Sequence, residues 1–217
     1  KDENILEPAG GTGEFIDGLI RAGVYEERLY SFDIEPRHGY VEKGDFLLQK
    51  LTQDFFVISN PPFGRANSLS IKFFNHAAPF ATYICFLIPK AWRKWSVVNK
   101  LNKKFHLVED VEMPPVAFYN EAGPIKGGNL KTLFQVWERR EEERNTIVIT
   151  DRGYLKKSTP EEADVAITLF GYSSGKVETE FKRESNTTKK FFTVADSSVI
   201  EGLNSVDFSR FNRNVSY

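Results

Sequence analysis

The sequence has almost no cysteine and no long uninterrupted run of apolar residues. Its one cysteine, Cys85, among 217 residues excludes a disulfide framework and any metal site built from several thiolates. Cys85 lies in the apolar run 83–88, so we expect a buried, unreactive thiol. The longest apolar stretch is interrupted by Pro79 and ends at Pro89, which makes it too short to span a membrane.

Targeting and metal-binding patterns are also missing. No signal peptide opens the chain, so we expect a cytoplasmic protein that has no membrane partner. The chain begins at Lys1 and a strand pattern follows almost at once, which indicates a trimmed or fragmentary N-terminus. His38, His76 and His106 have no ligand spacing with acids or with one another, so we expect no metal.

The composition is that of a globular enzyme, with 41% hydrophobic, 14% aromatic and 27% charged residues. The net charge of −1 indicates nothing about nucleic acid, but the charge is unevenly distributed along the chain. Residues 1–63 carry 6 basic and 12 acidic side chains, whereas residues 64–137 carry 10 basic and 4 acidic ones. This asymmetry weakly favours a face suited to a polyanion, because most charge runs are only solvated surface.

Short apolar runs alternate with amphipathic stretches along the first two thirds of the chain. We predict strands at residues 4–7, 29–33, 40–43, 54–59, 83–89, 106–111 and 132–138. Helical spacing occurs between them at 15–22, 71–80 and 97–105. This alternation predicts a Rossmann-like, doubly wound α/β fold with a mostly parallel seven-stranded sheet. Three glycines between the last two runs predict a terminal antiparallel hairpin.

From residue 141 onward the pattern changes, so we place a domain boundary between residues 140 and 141. The polar run 141–144 is followed by short predicted strands at 146–150, 163–169, 176–181 and 190–194. Residues 141–217 are therefore expected to form a small β-rich appendage.

The first candidate site is a strand that ends in a glycine-rich turn and opens a helix, with the sequence ILEPAGGTGEF at residues 5–15. Gly10, Gly11 and Gly13 allow the backbone to approach a ligand closely, and a helix N-terminus offers free N–H groups to an anion. The spacing is not the dinucleotide fingerprint, and the Walker lysine is absent. Such a turn alone is more often structural than functional.

Acidic residues end the next two predicted strands. Asp33 follows the glycine turn by about 20 residues, where a carboxylate is well placed to accept two ribose hydroxyls. Asp45 lies beside Phe46 at a further strand end, where it could accept from an adenine amino group. Each acid alone could be a helix cap. Together with the glycine turn they favour a nucleoside-containing cofactor.

The motif Asn60-Pro61-Pro62-Phe63 follows the apolar run 55–59. Two prolines fix the backbone, so the Asn60 side-chain oxygen and the Pro61 carbonyl can point to one spot. Two such acceptors suit the hydrogens of a planar amino group and free its nitrogen lone pair for attack, while Phe63 can stack on the flat substrate. The structural alternative is a rigid turn after a buried strand.

With these motifs, residues 4–138 resemble the S-adenosylmethionine-dependent amino-group methyltransferases, and most of all the gamma-group adenine-N6 DNA methyltransferases. The resemblance implies S-adenosyl-L-methionine as cofactor and direct in-line methyl transfer to the N6 amino group of an adenine flipped out of DNA. The implied cofactor-binding residues are Glu7, Pro8, Gly10, Gly11, Gly13, Asp33, Ile34, Asp45 and Phe46. The implied catalytic residues are Asn60, Pro61, Pro62 and Phe63.

Motif order is similar to the gamma arrangement, because only 47 positions separate Gly13 from Asn60 and leave no room for a recognition domain between them. The chain departs from the group at its start. Members normally carry a segment before the first strand that helps to close the cofactor pocket, and this chain has no room for one. The chain is therefore a fragment, or its cofactor pocket is more open.

Candidate substrate contacts follow the predicted strand 83–89. Lys90, Trp92 and Arg93 suit phosphates and unstacked bases, but the tryptophans could equally pack a helix onto the sheet. Arg65, directly after the catalytic motif, is the stronger phosphate candidate. In the family a further aromatic residue stacks on the extruded base, and Phe118 is the match here, with Tyr119 as its competitor.

DNA is the favoured partner, and three alternatives stay open. The same chemistry could act on adenine in RNA or on a glutamine side chain of a translation factor. The glutamine-modifying relatives usually have Tyr where Phe63 stands and carry a helical domain in front. A non-catalytic binding module is the third alternative. The appendage, with basic and aromatic residues at 189–192 and 208–213, is a candidate for a reduced target-recognition element, although it is balanced in charge. Oligomeric state is not indicated.

Overall fold

The structure is a computed structural model that describes residues 3–114, 119–120, 123–124, 132–169 and 173–207. The chain divides into two compact units, Lys1–Ile147 and Val148–Tyr217. This boundary lies later in the chain than the predicted one between residues 140 and 141, because Arg144 and Ile147 form hydrogen bonds with earlier residues of the first unit. The Arg144 guanidinium donates to the Phe105 carbonyl at 2.6 Å, and Ile147 forms two hydrogen bonds with the Asn99 side chain.

The first unit contains nine short strands and three helices among the described residues. The strands are β1 Asn4–Glu7, β2 Leu29–Asp33, β3 Glu42–Lys43, β4 Phe55–Ser59, β5 Ala81–Pro89, β6 Phe105–Glu112, β7 Tyr119–Asn120, β8 Gly123–Pro124 and β9 Thr132–Arg139. The helices are α1 Glu14–Arg21, α2 Ser68–Ala77 and α3 Trp95–Val98. Single 3₁₀ turns lie at Glu26–Arg28, Phe46–Leu48, Arg65–Asn67 and Lys90–Arg93.

Seven of these strands form one sheet in the order β3-β2-β1-β4-β5-β9-β6. All pairs are parallel except those of β9, which runs antiparallel to β5 and β6. The predicted Rossmann-like sheet with a terminal antiparallel hairpin is therefore confirmed. The chain winds outward in one direction from β1 and in the other from β4, and these two strands are neighbours. Ligands of such sheets bind at the carboxyl ends of the strands at this reversal point.

The core of the first unit lies on the sheet face that α2 covers. Alternation along β4 places Phe55 and Val57 on that face, as expected for a strand with period two. Phe74 of α2 is at the centre of the core, and its ring lies 5.4–6.0 Å from the rings of Phe86, Trp92, Phe105 and Trp137. Cys85 is buried, as predicted, and its environment raises the thiol pKa to about 12, mainly through desolvation.

Two predicted elements differ from the structure. The helix expected over 97–105 is reduced to α3, because the Asn75 side chain donates to the Lys100 carbonyl and accepts from the Asn102 N–H. These bonds satisfy backbone groups outside a helical pattern and end the helix early. The strand expected over 146–150 is not formed, because the Asn99 side chain bonds to Ile147 where a strand partner would lie.

The second unit is β-rich, as predicted. Strands β10 Leu155–Lys157, β11 Val165–Thr168, β12 Val177–Glu178 and β13 Lys189–Val194 form an antiparallel sheet in the order β10-β13-β11-β12. Helix α4, Ser198–Ser205, follows. Strand β10 and helix α4 were not predicted from the sequence. Within the described part of the chain, no helix is long and apolar enough to cross a membrane.

Candidate active site

The glycine turn between β1 and α1 requires glycine at each of its three positions. A Cβ at Gly10 would lie 2.2 Å from the Ser31 hydroxyl oxygen, so any side chain there collides with β2. Gly11 and Gly13 have φ angles of 49° and 85°, a region that favours glycine. The turn therefore holds its backbone tightly against the end of β2, as close approach to a ligand requires.

Asp33 ties the end of β2 to this turn. Its carboxylate accepts hydrogen bonds from the backbone N–H of Gly11 at 2.9 Å and of Glu35 at 2.8 Å. The structure thus brings together two residues that lie 22 positions apart in the sequence and that were predicted to share a site. Ile34, the next residue, is 65% exposed and presents apolar surface beside the acid.

Glu7, at the end of β1, is a buried acid that has no ion pair with any described residue. Its side chain is 2% exposed, and Oε2 has no hydrogen-bond partner in the described part of the chain. Burial, aided by the nearby Glu14 and Asp33, raises the pKa of the Glu7 carboxyl to about 8. A buried, unpaired oxygen in an acidic environment is suited to a cationic ligand. Pro8, which follows, is also buried.

His38 also contacts the glycine turn, which the sequence did not indicate. A Cβ at Gly13 would lie 2.4 Å from the imidazole Cγ, so the ring packs directly on this glycine. The ring Nε2 lies 3.3 Å from Asp17 Oδ1, and the Arg37 N–H donates to the Gly11 carbonyl at 2.9 Å. The segment after β2 therefore packs against the turn, an arrangement for which the histidine's position in the sequence gives no signal.

At the third predicted strand end, Asp45 and Phe46 differ in exposure to solvent. Asp45 is exposed and its carboxylate accepts from the Leu47 N–H at 2.9 Å, which caps the 3₁₀ turn. Phe46 is 1% exposed and packs against the rings of Phe73, His76 and Phe80. The expected contact between Phe46 and adenine is therefore corrected, since a ring this buried offers no face to a ligand.

The motif at the end of β4 leaves its polar side chain available. Asn60 is exposed and its amide makes no hydrogen bond to any described residue. Pro61 is buried, Pro62 is exposed and Phe63 is half-buried. The Phe63 carbonyl accepts from the backbone N–H of Leu69 at 3.2 Å, which ties the motif to the first turn of α2.

The loop after this motif has an unusual backbone. Gly64, Ala66 and Asn67 all have positive φ angles, 68°, 52° and 63°. Left-handed conformations at two successive non-glycine residues are uncommon, and such strain tends to be found at functional sites. A Cβ at Gly64 would lie 2.8 Å from the Leu69 Cβ, so glycine is required there too.

The basic and aromatic segment after β5 is largely engaged within the protein. Trp92 is fully buried, and its indole N–H donates to the Ser70 hydroxyl at 3.2 Å. Trp92 is thus a core residue, and its expected substrate contact is corrected in favour of the packing alternative. Arg93 bonds to Asp110 and, at 2.8 Å, to Glu112 of β6, and Lys90 also pairs with Glu112. Both cations are therefore neutralised locally.

The remaining predicted substrate contacts have mixed outcomes. Arg65 is exposed and has no ion pair with any described residue, so its charge is available to a ligand. Phe118 and the side chain of Tyr119 lie outside the described residues. Within the described ranges, no group of three or more acidic, histidine or cysteine residues could hold a metal ion.

Comparisons with known proteins give likenesses of structure only. No protein-family model and no curated protein sequence matches the chain. A proposed class I S-adenosylmethionine-dependent methyltransferase from Listeria monocytogenes is 16% identical, with 67% of this chain and 56% of that chain covered and a TM-score of 0.48. A proposed RNA methyltransferase from Pyrococcus horikoshii is 16% identical, covering 64% and 76%, with a TM-score of 0.48.

The 23S rRNA methyltransferase ErmE is 18% identical, with 65% of this chain and 63% of that chain covered and a TM-score of 0.44. The chain thus spans little more than half the length of the Listeria protein.

Proposed function

We propose that this protein is an S-adenosyl-L-methionine-dependent methyltransferase that methylates the N6 amino group of adenine in DNA. One observation carries the proposal. The Asn60 amide, which makes no hydrogen bond to any described residue, directly follows β4, while the acid-lined glycine turn follows the neighbouring strand β1. A cofactor site and an acceptor for an amino group therefore lie side by side at the reversal point of the sheet.

The residues at the glycine turn fit this cofactor. The unpaired Glu7 oxygen suits the cationic amino-acid end, and the Asp33 carboxylate retains lone pairs for ribose hydroxyls. Ile34 offers exposed apolar surface for adenine, as does Leu48, which is 76% exposed beside Asp45. When bound, the cofactor supplies an electrophilic methyl group on its sulfonium.

Residues of this chain orient the amino group that receives the methyl group. Asn60 Oδ1 and the Pro61 carbonyl accept the two hydrogens of the target amino group and leave its lone pair directed at the methyl group. Asn60 is a neutral amide that accepts hydrogen bonds without taking a proton, so the proton that the methylated nitrogen loses passes to solvent. Orientation of this kind contributes on the order of 7–11 kcal/mol in well-positioned systems. Phe63 stacks on the flipped base, whose extrusion costs roughly a few kcal/mol.

The test is methyl transfer from labelled cofactor to duplex DNA, single-stranded DNA, RNA and a translation release factor, with products identified by mass. We expect N6-methyladenine from DNA. Label in RNA or in glutamine would retain the chemistry and contradict the proposed substrate. Cofactor binding without transfer to any acceptor would favour a binding module.

A further inference from the structure

The second unit carries a pocket of about 320 Å³ with a basic, hydroxyl-rich lining. Three lysines and four uncharged polar residues line it, among them Lys157, Lys190, Ser158, Asn186 and Thr187. The lining includes no carboxylate from the described part of the chain. The pocket therefore concentrates hydrogen-bond donors and positive charge at one place on this unit.

The register of the sheet places two of the lysines close to each other. Lys157 of β10 is paired across from Phe192 of β13, and Lys190 lies two residues before Phe192. Since alternate residues share a face, Lys157 and Lys190 are diagonal neighbours, about 7–8 Å apart in such sheets. Neither has an ion pair with any described residue, whereas the third lysine, Lys189, pairs with Glu178. Like charges so placed repel each other until an anion lies between them.

The adjoining loop adds neutral donors. Asn186 Oδ1 accepts from both the backbone N–H and the hydroxyl of Thr188, at 2.8 and 2.7 Å, which closes a tight turn. This leaves the Asn186 amide N–H groups without an intramolecular acceptor in the described residues and presents Thr187 at the pocket. Lysines together with hydroxyl and amide donors are the groups that hold phosphate oxygens.

We propose that this pocket binds a backbone phosphate of the nucleic-acid substrate, an inference that rests on the proposed function for its choice of ligand. Phe191, the only aromatic residue of the lining, is buried and packs against Phe181, so it offers no surface for base stacking. The contact is therefore to the backbone and does not depend on base sequence. It strengthens binding most at low salt, because phosphate neutralisation releases counterions.

The test uses the full chain and a fluorescein-labelled DNA duplex, with affinity measured by anisotropy over a range of KCl concentrations. The variant Lys157→Gln/Lys190→Gln removes the pocket charges. The control Lys156→Gln/Lys182→Gln makes the same change in net charge outside the pocket. Lys156 adjoins Lys157 but is paired with Thr193 and lies on the opposite face, and Lys182 is highly exposed. Circular dichroism checks that both variants fold.

We expect the pocket variant to bind about tenfold more weakly at 100 mM KCl, with the slope of log K against log salt reduced by about 1. The control should stay within about twofold of the wild type. Equal weakening in the two variants, no change in either, or no binding of DNA by the wild type would overturn the proposal.

This result is separable from the fate of the proposed function, which methyl transfer and cofactor binding measure independently. Pocket-dependent DNA binding in a chain that transfers no methyl group supports the phosphate site and contradicts the enzyme. Methyl transfer to DNA with binding unaffected by Lys157→Gln/Lys190→Gln supports the enzyme and contradicts the phosphate site.

Discussion

At the scale of single residues, Glu7 makes the stability of the fold depend on pH. Its carboxyl pKa is raised from 4.5 to about 8, chiefly by burial. The folded chain therefore retains a proton that the unfolded chain releases above about pH 4.5. The contribution of Glu7 to the free energy of unfolding is therefore most favourable below that pH. It falls as the pH rises towards 8, by about 5 kcal/mol at most.

Glu7→Gln should remove this dependence, because the amide cannot ionise and has nearly the same shape. We expect urea unfolding to show a loss of stability in the wild type between about pH 5 and pH 8, and a much smaller loss in the variant. Glu42→Gln, at an exposed position on β3, is the matched control and should behave as the wild type. The same loss in all three proteins would mean that Glu7 is not the titrating group.

Asn60 is the residue on which the proposed chemistry depends. Asn60→Ala should lower the rate of methyl transfer by at least about 100-fold, because the target amino group loses an oriented acceptor. Cofactor affinity, measured by calorimetry, should stay within about twofold, since the Asn60 side chain has no hydrogen bond to the glycine turn in the described residues. Full transfer activity in this variant would contradict the mechanism.

Variants at Trp92 and Trp95 test whether each tryptophan packs in the core. Trp92 is in the core, so Trp92→Ala should lower the free energy of unfolding by about 3–5 kcal/mol. Trp95 is 50% exposed, and Trp95→Ala should cost less than about 1 kcal/mol. Denaturant unfolding of both variants checks this, and equal losses would place Trp95 in the core as well.

At the scale of elements, the glycine turn is fixed by its contact with β2. Gly10→Ala should destabilise the fold by about 1–3 kcal/mol and weaken cofactor binding, because the new methyl group meets Ser31 and Val41. Gly39→Ala is a matched control, since a Cβ there meets nothing within 4 Å. Thermal unfolding of the two variants should differ clearly, and equal stability would contradict this description of the turn.

The sequence predicted the strands of the sheet well, but it predicted poorly which side chains are buried and which are exposed. Apolar runs separated by breakers identified β1 and β2 at their observed bounds, because strand periodicity is a local property. The family resemblance assigned Phe46 to the cofactor, but a run of three apolar residues does not indicate which one is buried. The early end of α3 depends on Asn75, which is 25 residues or more from the groups that it bonds. Contacts of that range leave no local pattern.

At the scale of the molecule, the candidate site depends on chain topology. Asp33 and Gly11 are brought into contact because β1 and β2 are adjacent and parallel, which the strand–helix alternation predicted. Glu7 Oε2 has no hydrogen-bond partner among the described residues because the side chain is buried, and His38 packs on Gly13 because of the loop conformation. No sequence motif predicts either feature. The sequence therefore predicted the contact between Asp33 and Gly11, while the burial of Glu7 and of Phe46 required the fold.

The most direct test of the central claim is incubation of adenine-containing duplex DNA with the protein and a cofactor that carries a deuterated methyl group, followed by nucleoside mass spectrometry. We expect deuteromethylated N6-adenine with the wild type and at least about 100-fold less of it with Asn60→Ala. Absence of labelled nucleoside with the wild type, under conditions where calorimetry shows the cofactor bound, would contradict the assignment of a DNA adenine methyltransferase.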